Sequence, residues 1–371
     1  MKITVNREKM LHAFQTVAPI APARSPKAIL QNVKLEVAQD HATLMATDLE
    51  VGIRYKVDGV EVDVAGAAVL PVARFGSILR ESSDATFRIE AGADGTQIRG
   101  ERSQFKLPSE NPQDFPPIAE FAEASYYEVP ARLFRELIRR TIFATDNESS
   151  RYALGGIKLE FNNGQLTAVG TDGRRLAKMD GAAQTIGEPS PFGDVTVVPT
   201  RAMNLLERAL AEDGSEVQLA VRQNDILVKN PRATIYSRLL EGRYPRWRDV
   251  FPQRPSSTKI PLTVGPVYSA VRQAAIVTSE ESRGVDFTFG EGSLVLAGQT
   301  AEVGQSRIEL PIAYDGTPIS ITLDPRFVSD FLKVLEPEKA FTIDLQDGDS
   351  AAVCTTDDGY GYVIMPLARD R

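Results

Sequence analysis

Few side chains in this sequence are placed to make or break bonds. Asp48 with Glu50, Asp172, and the Asp347-Gly348-Asp349 run are the carboxylates closest to an acid–base or Mg²⁺-binding arrangement. His12 and His41 are the only histidines and Cys354 the only cysteine. That excludes an internal disulfide and a Cys-rich zinc site, and leaves little for histidine-based catalysis. The glycines form neither a phosphate-binding loop nor a dinucleotide fingerprint. Arginine offers a different chemistry. Arg132, Arg135 and Arg139 follow i, i+3, i+7 spacing with Arg140 beside them, so a helix there turns a positive face outward. One such face is usually just solvated; several together would hold phosphate.

The elements that carry these residues repeat. Strand-like alternation of apolar and polar residues occurs over 29–37, again over 153–161, and in shorter form over 284–289. The period is roughly 125 residues, far longer than a solenoid unit. A Thr-Asp turn follows twice, Thr47-Asp48-Leu49-Glu50 and Thr171-Asp172-Gly173-Arg174, and the third repeat has Gln299-Thr300-Ala301-Glu302. Pro71, Pro199 and Pro325 each open an amphipathic segment, as suits proline in a first helical turn. A second helix is expected near the start of each repeat, over 7–17, 130–144 and 266–278. Each repeat then closes on a short strand, at 105–108, 236–240 and 362–366. Asp48 and Asp172 are therefore repeat equivalents, with Thr300 in the third place. A turn role explains that recurrence better than catalysis.

These markers predict an α+β protein of three similar domains, each with two helices packed on antiparallel sheets. The expected boundaries are 1–121, 126–252 and 257–371, with linkers of small or polar residues between them. Apolar residues make up 42% of the 371, enough for real cores. No stretch of about 20 apolar residues predicts a membrane span. The Met1–Met10 segment lacks the apolar run of a secretory signal, so a cytoplasmic location is expected.

Net charge is −8, which on totals argues against a partner made of phosphate. Its distribution reverses that argument. Each of the six predicted helices is net positive, so the strands and loops carry the excess acid. Helices gathered on one surface would track a phosphate backbone without reading sequence. There is no zinc-finger spacing or base-reading element to add specificity.

The threefold repeat, together with MetLysIleThrVal at 1–5, ThrAspGlyArgArgLeuAla at 171–177, GluGlyArgTyrPro at 241–245, ArgGlyVal at 283–285 and TyrValIleMetPro at 362–366, resembles the bacterial sliding clamps, the beta subunits of DNA polymerase III. The likeness runs the whole length of the chain. It implies the DNA-clamp fold and a head-to-tail homodimeric ring around duplex DNA. It further implies a processivity factor with no catalytic residues, metal or cofactor of its own, inside a DNA-directed polymerase holoenzyme. The partners it implies are the replicative polymerase catalytic subunit, the clamp loader, and repair and translesion polymerases that dock through short linear motifs.

Site residues follow from the same resemblance. DNA contacts map to Arg24, Arg74, Ser149, Arg151 and Tyr152, and the helical arginines Arg132, Arg135 and Arg139 join them by the charge argument. A partner-peptide pocket maps to Leu154, Thr171, Gly173, Arg174, Arg175, Leu176, Pro245, Val250, Val363, Ile364, Met365, Pro366 and Leu367. The dimer interface maps to Phe105 and Leu107 on one side and Ile276 and Val277 on the other. Three departures are visible. Ala153 stands where a tyrosine is frequent, Asp249 where arginine is frequent, and the chain runs on as Leu367-Ala-Arg-Asp-Arg371 after the closing proline. The alternative function is a clamp-like scaffold that binds partner peptides outside the main replicase.

Overall fold

The computed structural model describes residues 1–108, 110–146, 153–192, 196–210, 214–251, 257–279, 284–300 and 303–367. Among them are seven α-helices: α1 (Arg7–Val17), α2 (Val72–Glu81), α3 (Ala131–Arg139), α4 (Thr200–Ala209), α5 (Trp247–Val250), α6 (Val264–Ala274) and α7 (Pro325–Lys333). Six lie where the sequence places them, and α5 was not expected. The helices predicted over 130–144 and 266–278 stop short and continue as 3₁₀ turns, Ile142–Ala144 and Ala275–Val277. In the first case the Thr141 hydroxyl donates to the Leu137 carbonyl at 2.6 Å, competing with the backbone ladder where α3 ends. Pro71 caps α2 from outside, whereas Pro325 is the first residue of α7.

The described strands form four antiparallel sheets built from two recurring half-sheets. One kind runs Val60–Val64, Lys2–Asn6, Thr86–Gly92, Gly95–Arg99, Gln104–Leu107. It recurs as Gln184–Ile186, Tyr126–Pro130, Glu216–Val221, Asp225–Lys229, Ala233–Arg238, and again as Thr258–Thr263, Ala340–Leu345, Ala352–Thr355, Tyr360–Ile364. The other kind runs Gly66–Pro71, Asn32–Val37, Ala42–Thr47, Val51–Val57. Its counterparts end on Arg175–Ala182 and Gly304–Pro311.

Two compact units emerge from the packing, each containing one joint between repeats. The first comprises 1–135, 183–191 and 201–239. Here the first repeat's Val51–Val57 pairs with the second repeat's Ala233–Arg238, Ile53 opposite Ile235. Beneath the sheets α1 packs on α2, the Phe14 and Phe75 rings meeting edge-on at 5.3 Å. Gly76 permits that approach, since a Cβ there would stand 2.9 Å from the Phe14 ring.

The second unit comprises 136–182, 192–200 and 240–371. Here the second repeat's Arg175–Ala182 pairs with the third repeat's Tyr360–Ile364, Ala177 opposite Tyr362. Phe331 of α7 stacks on Tyr362 at 5.2 Å and meets Phe341 edge-on at 5.5 Å. Cys354 is buried in this sheet, and burial pushes its thiol up to about 12.

Both joints therefore use the same two strand types. One strand of each type is left at a sheet edge: Gln104–Leu107 and Gly304–Pro311.

Candidate functional site

Asp48, Asp172 and Asp347 are turn-formers. Asp172 Oδ1 accepts from the backbone N–H of Arg174 at 2.9 Å and of Arg175 at 3.0 Å, while Thr171 Oγ1 donates to the Arg175 carbonyl at 2.6 Å. Asp48 Oδ1 does the same for Glu50 and Val51, at 3.0 and 2.7 Å. Asp347 accepts from Asp349 and Ser350 at 3.0 and 2.6 Å. Each is occupied by the local backbone hydrogen bonding that makes Asp a turn residue. Among the described residues no three His, Cys, Asp or Glu side chains come together to hold a metal ion.

The Thr171–Arg175 turn instead borders the apolar cluster that the resemblance assigns to a peptide cleft. Leu176 and Val363 stand opposite each other on neighbouring strands, and Val353 stands opposite Val363. With Val169 they form an apolar floor covered by Trp247 of α5 and flanked by Tyr244 and Phe251. Leu176 and Val363 are each only 1% exposed, so they lie inside the cluster rather than at its surface. The open rim is Met365, 46% exposed, together with Val250, Gly173 and Arg174. The Met365 N–H donates to the Arg174 carbonyl at 2.9 Å, fixing one rim residue to the other. Beyond Pro366, the Leu367 N–H donates to the Thr322 carbonyl at 2.9 Å. Leu154 is buried, and Ala153 beside it donates to the Arg243 carbonyl at 3.1 Å, two residues before Pro245.

Two expected pocket residues face the other way. Successive side chains along a strand alternate in face, so Arg175 and Ile364, which pair with each other, lie on the sheet face opposite Leu176 and Val363. Arg175 is 11% exposed. It donates to Asp172 at 3.0 Å, to Asp330 of α7 at 2.6 Å and to the Phe143 carbonyl at 2.7 Å, with its guanidinium 4.3 Å from the Phe327 ring centre. Burial on its own would favour the neutral form, but Tyr362, Asp330 and Asp172 outweigh it and hold the pKa above the ordinary value.

The site also includes residues the sequence reading did not name. Trp247 Nε1 donates to Glu160 at 3.1 Å and Arg248 to the same carboxylate at 2.5 Å, which docks α5 on the sheet. Gly361 gives Phe251 its seat, since a Cβ there would lie 2.9 Å from the ring. The available signal was that the chain's only tryptophan sits three residues before Val250.

Of the arginines expected on DNA, Arg24, Arg74 and Arg132 are exposed and unpaired among the described residues. Arg135 is half-buried. Arg139 departs from the expectation of a free cation. It pairs with Glu136 at 3.0 Å and donates to the Val334 carbonyl at 3.1 Å, at the end of α7. Ser149, Arg151 and Tyr152 lie outside the described residues. Of the residues expected at a dimer interface, Phe105 borders a cavity of about 740 Å³ that Ile78, Glu81, Ser82 and Asp84 also line. Leu107 is largely buried, Val277 is half-buried, and Ile276 is 75% exposed.

Three family models match in order: DNA polymerase III beta subunit N-terminal domain over 1–119, central domain over 128–246 and C-terminal domain over 248–368. The chain belongs to the DNA polymerase III beta subunit family. Within that family, it is 30% identical to the beta sliding clamp of Chlamydia pneumoniae over 368 residues, covering 99% of both chains. It is 29% identical to that of Pseudomonas aeruginosa, with 99% of this chain and 100% of the relative covered. Among solved structures, the P. aeruginosa beta subunit superposes with a TM-score of 0.87 at 26% identity, each chain covered completely. A P. aeruginosa sliding clamp bound to griselimycin gives 0.90 at 28%, again with complete coverage of both. Three clamp domains of α+β architecture thus make up this member of the beta subunit family.

Proposed function

We infer that this protein is a sliding clamp, the processivity factor of a bacterial replicative DNA polymerase, and that it works without catalysing a reaction itself. Two copies close head to tail around duplex DNA. The ring slides on phosphate contacts that ignore sequence, and its clefts tether the polymerase catalytic subunit, the clamp loader, and repair and translesion polymerases. A linked ring leaves DNA only by opening, so a tethered polymerase stays at a high effective concentration at the primer end. The domains run 1–121, 126–252 and 257–371, and the protein acts in the cytoplasm. No helix among the described residues is long and apolar enough to cross a membrane.

The observation that carries this reading is the repeated joint. Two joints are made inside the chain, and among the described residues one strand of each joint-forming type, Gln104–Leu107 and Gly304–Pro311, is left at a sheet edge. A heterologous contact that closes by rotation gives a ring. Equivalence with the internal joints supports the interface assignment. Phe143 on the second repeat's 3₁₀ turn packs on Tyr362 with ring centres 5.6 Å apart. The corresponding residues at the free edges are Ile276 and Phe105, which explains why so apolar a side chain as Ile276 stands in solvent. Val277 and Leu107 flank them.

The peptide cleft offers an apolar floor with an adaptable methionine at its rim, suited to Leu and Phe anchors. Arg24, Arg74 and Arg132 supply free cations for phosphate, and Arg135, Ser149, Arg151 and Tyr152 belong to the same assignment. Light scattering tests the ring. Chains of 40.6 kDa should read as about 81 kDa on dilution, and Phe105→Glu should return the monomer mass with the fold intact. A wild-type monomer at every concentration would remove the encircling mechanism.

A further inference from the structure

The hairpins that precede the joint strands place Thr47 opposite Gly52, Thr171 opposite Leu176, and Gln299 opposite Gln305. The residue just before each of these partners is Val51, Arg175 and Gly304 in turn. Only the middle repeat has a charged side chain at this position, and the joint it serves is the one to which the peptide cleft is assigned. The other internal joint manages without an arginine there. Val51 is buried, and the tie comes from a different direction: Arg201 of α4 pairs with Asp48 and donates to the Ile20 carbonyl at 2.8 Å. An arginine at the Arg175 position is therefore not what holds two repeats together in general.

What sets Arg175 apart is its surroundings. Its guanidinium reaches its own turn through Asp172, α7 through Asp330 and Phe327, and the 3₁₀ turn through the Phe143 carbonyl. The backbone on either side of it belongs to the cleft. Arg174 receives the hydrogen bond from Met365, and Leu176 is part of the floor. Three elements on one face of the sheet thus fix the end of a strand whose other face a peptide meets. We propose that Arg175 is a positioning residue of the partner-peptide cleft, holding the Thr171–Arg175 turn against α7 without touching the peptide. This rests on the cleft being the peptide site.

Binding of a fluorescent Gln-Leu-Ser-Leu-Phe peptide to the full-length protein, followed by anisotropy, tests it. Arg175→Gln should weaken binding about tenfold, the scale of one lost charge-assisted network. Arg175→Lys should recover only part of that, because an ammonium cannot reproduce the fork. Asp330→Asn, on the face away from the cleft, should also weaken binding. Combined with Arg175→Gln it should add little, as expected for members of one network. Arg201→Gln removes the tie of the other joint and should leave the peptide affinity unchanged. Melting curves establish that each variant folds; if Arg175→Gln does not, Asp330→Asn and Arg175→Lys carry the test. Unchanged affinity in the folded Arg175 and Asp330 variants, or losses that multiply independently, overturns the positioning role while the cleft stands. Absence of binding by the wild type overturns the cleft itself, and the positioning role with it.

Discussion

Asp358 shows how a single carboxylate can be read through pH. Burial alone would raise its pKa, but the Thr356 hydroxyl, Arg140 and Lys339 more than offset that and hold it well below the usual range. A depressed folded value means that the stabilising contribution is present above the ordinary carboxylate pKa and is lost as pH falls below it. The side chain is a third exposed, so screening limits the contribution to about 1 kcal/mol. Asp358→Asn should melt lower than wild type at pH 7, and the gap should close as the buffer is taken from about pH 5 to about pH 2. A constant gap across that range would mean the pairing with Arg140 contributes nothing ionic. Residues at this scale were unevenly legible. Leu176 and Val363 could be read as apolar strand positions, because alternation fixes a face. Arg175 could not be placed, since periodicity says which residues share a face but not which face a partner uses. Its true partner, Asp330, is 155 residues away, and nothing local announces it.

Helices were the most legible elements, because apolar spacing and an opening proline act within a few residues. Their ends were less so: hydroxyl competition at Thr141 is a matter of rotamer, and it cut α3 short. The four-residue α5 carries no periodicity and owes its place to Trp247 packing on a sheet assembled from two repeats. The helix-borne charge makes its own prediction. Arg139 is already committed to Glu136 and the end of α7, so a phosphate surface must draw on cations that remain free. Arg74→Glu with Arg132→Glu should weaken binding to duplex DNA and flatten its dependence on salt, roughly one unit of slope per lost phosphate contact. An unchanged slope in the folded double variant would show that these two residues do not meet phosphate.

For the whole molecule, the repeated joint specifies how two copies should meet. Thr234 lies opposite Arg54 at one internal joint, and Gly361 lies opposite Lys178 at the other. The matching positions on the free edges are Gln104 and Arg307, both exposed. Gln104→Cys with Arg307→Cys should therefore form a disulfide between copies and none within one, since opposed strand positions meet the geometric demand. Once oxidised, such a ring should remain on circular DNA and run off the same DNA when linearised. Cross-linking that leaves retention on both forms equal would argue against encirclement. The order of the three repeats was visible in sequence, and the resemblance already pointed to the strand with Phe105 and Leu107, but its counterpart Gly304–Pro311 emerged only when the half-sheets were laid out in space.

Cys354 makes that experiment clean. Its sulfur is enclosed and its thiol pushed up to about 12 by burial, so at pH 8 almost none of it is thiolate, the form that reacts. Alkylating reagents should leave the native protein unmodified and label one site per chain only after unfolding. The molecule is in effect a blank background for thiol chemistry, on which any introduced cysteine reports its own surroundings alone.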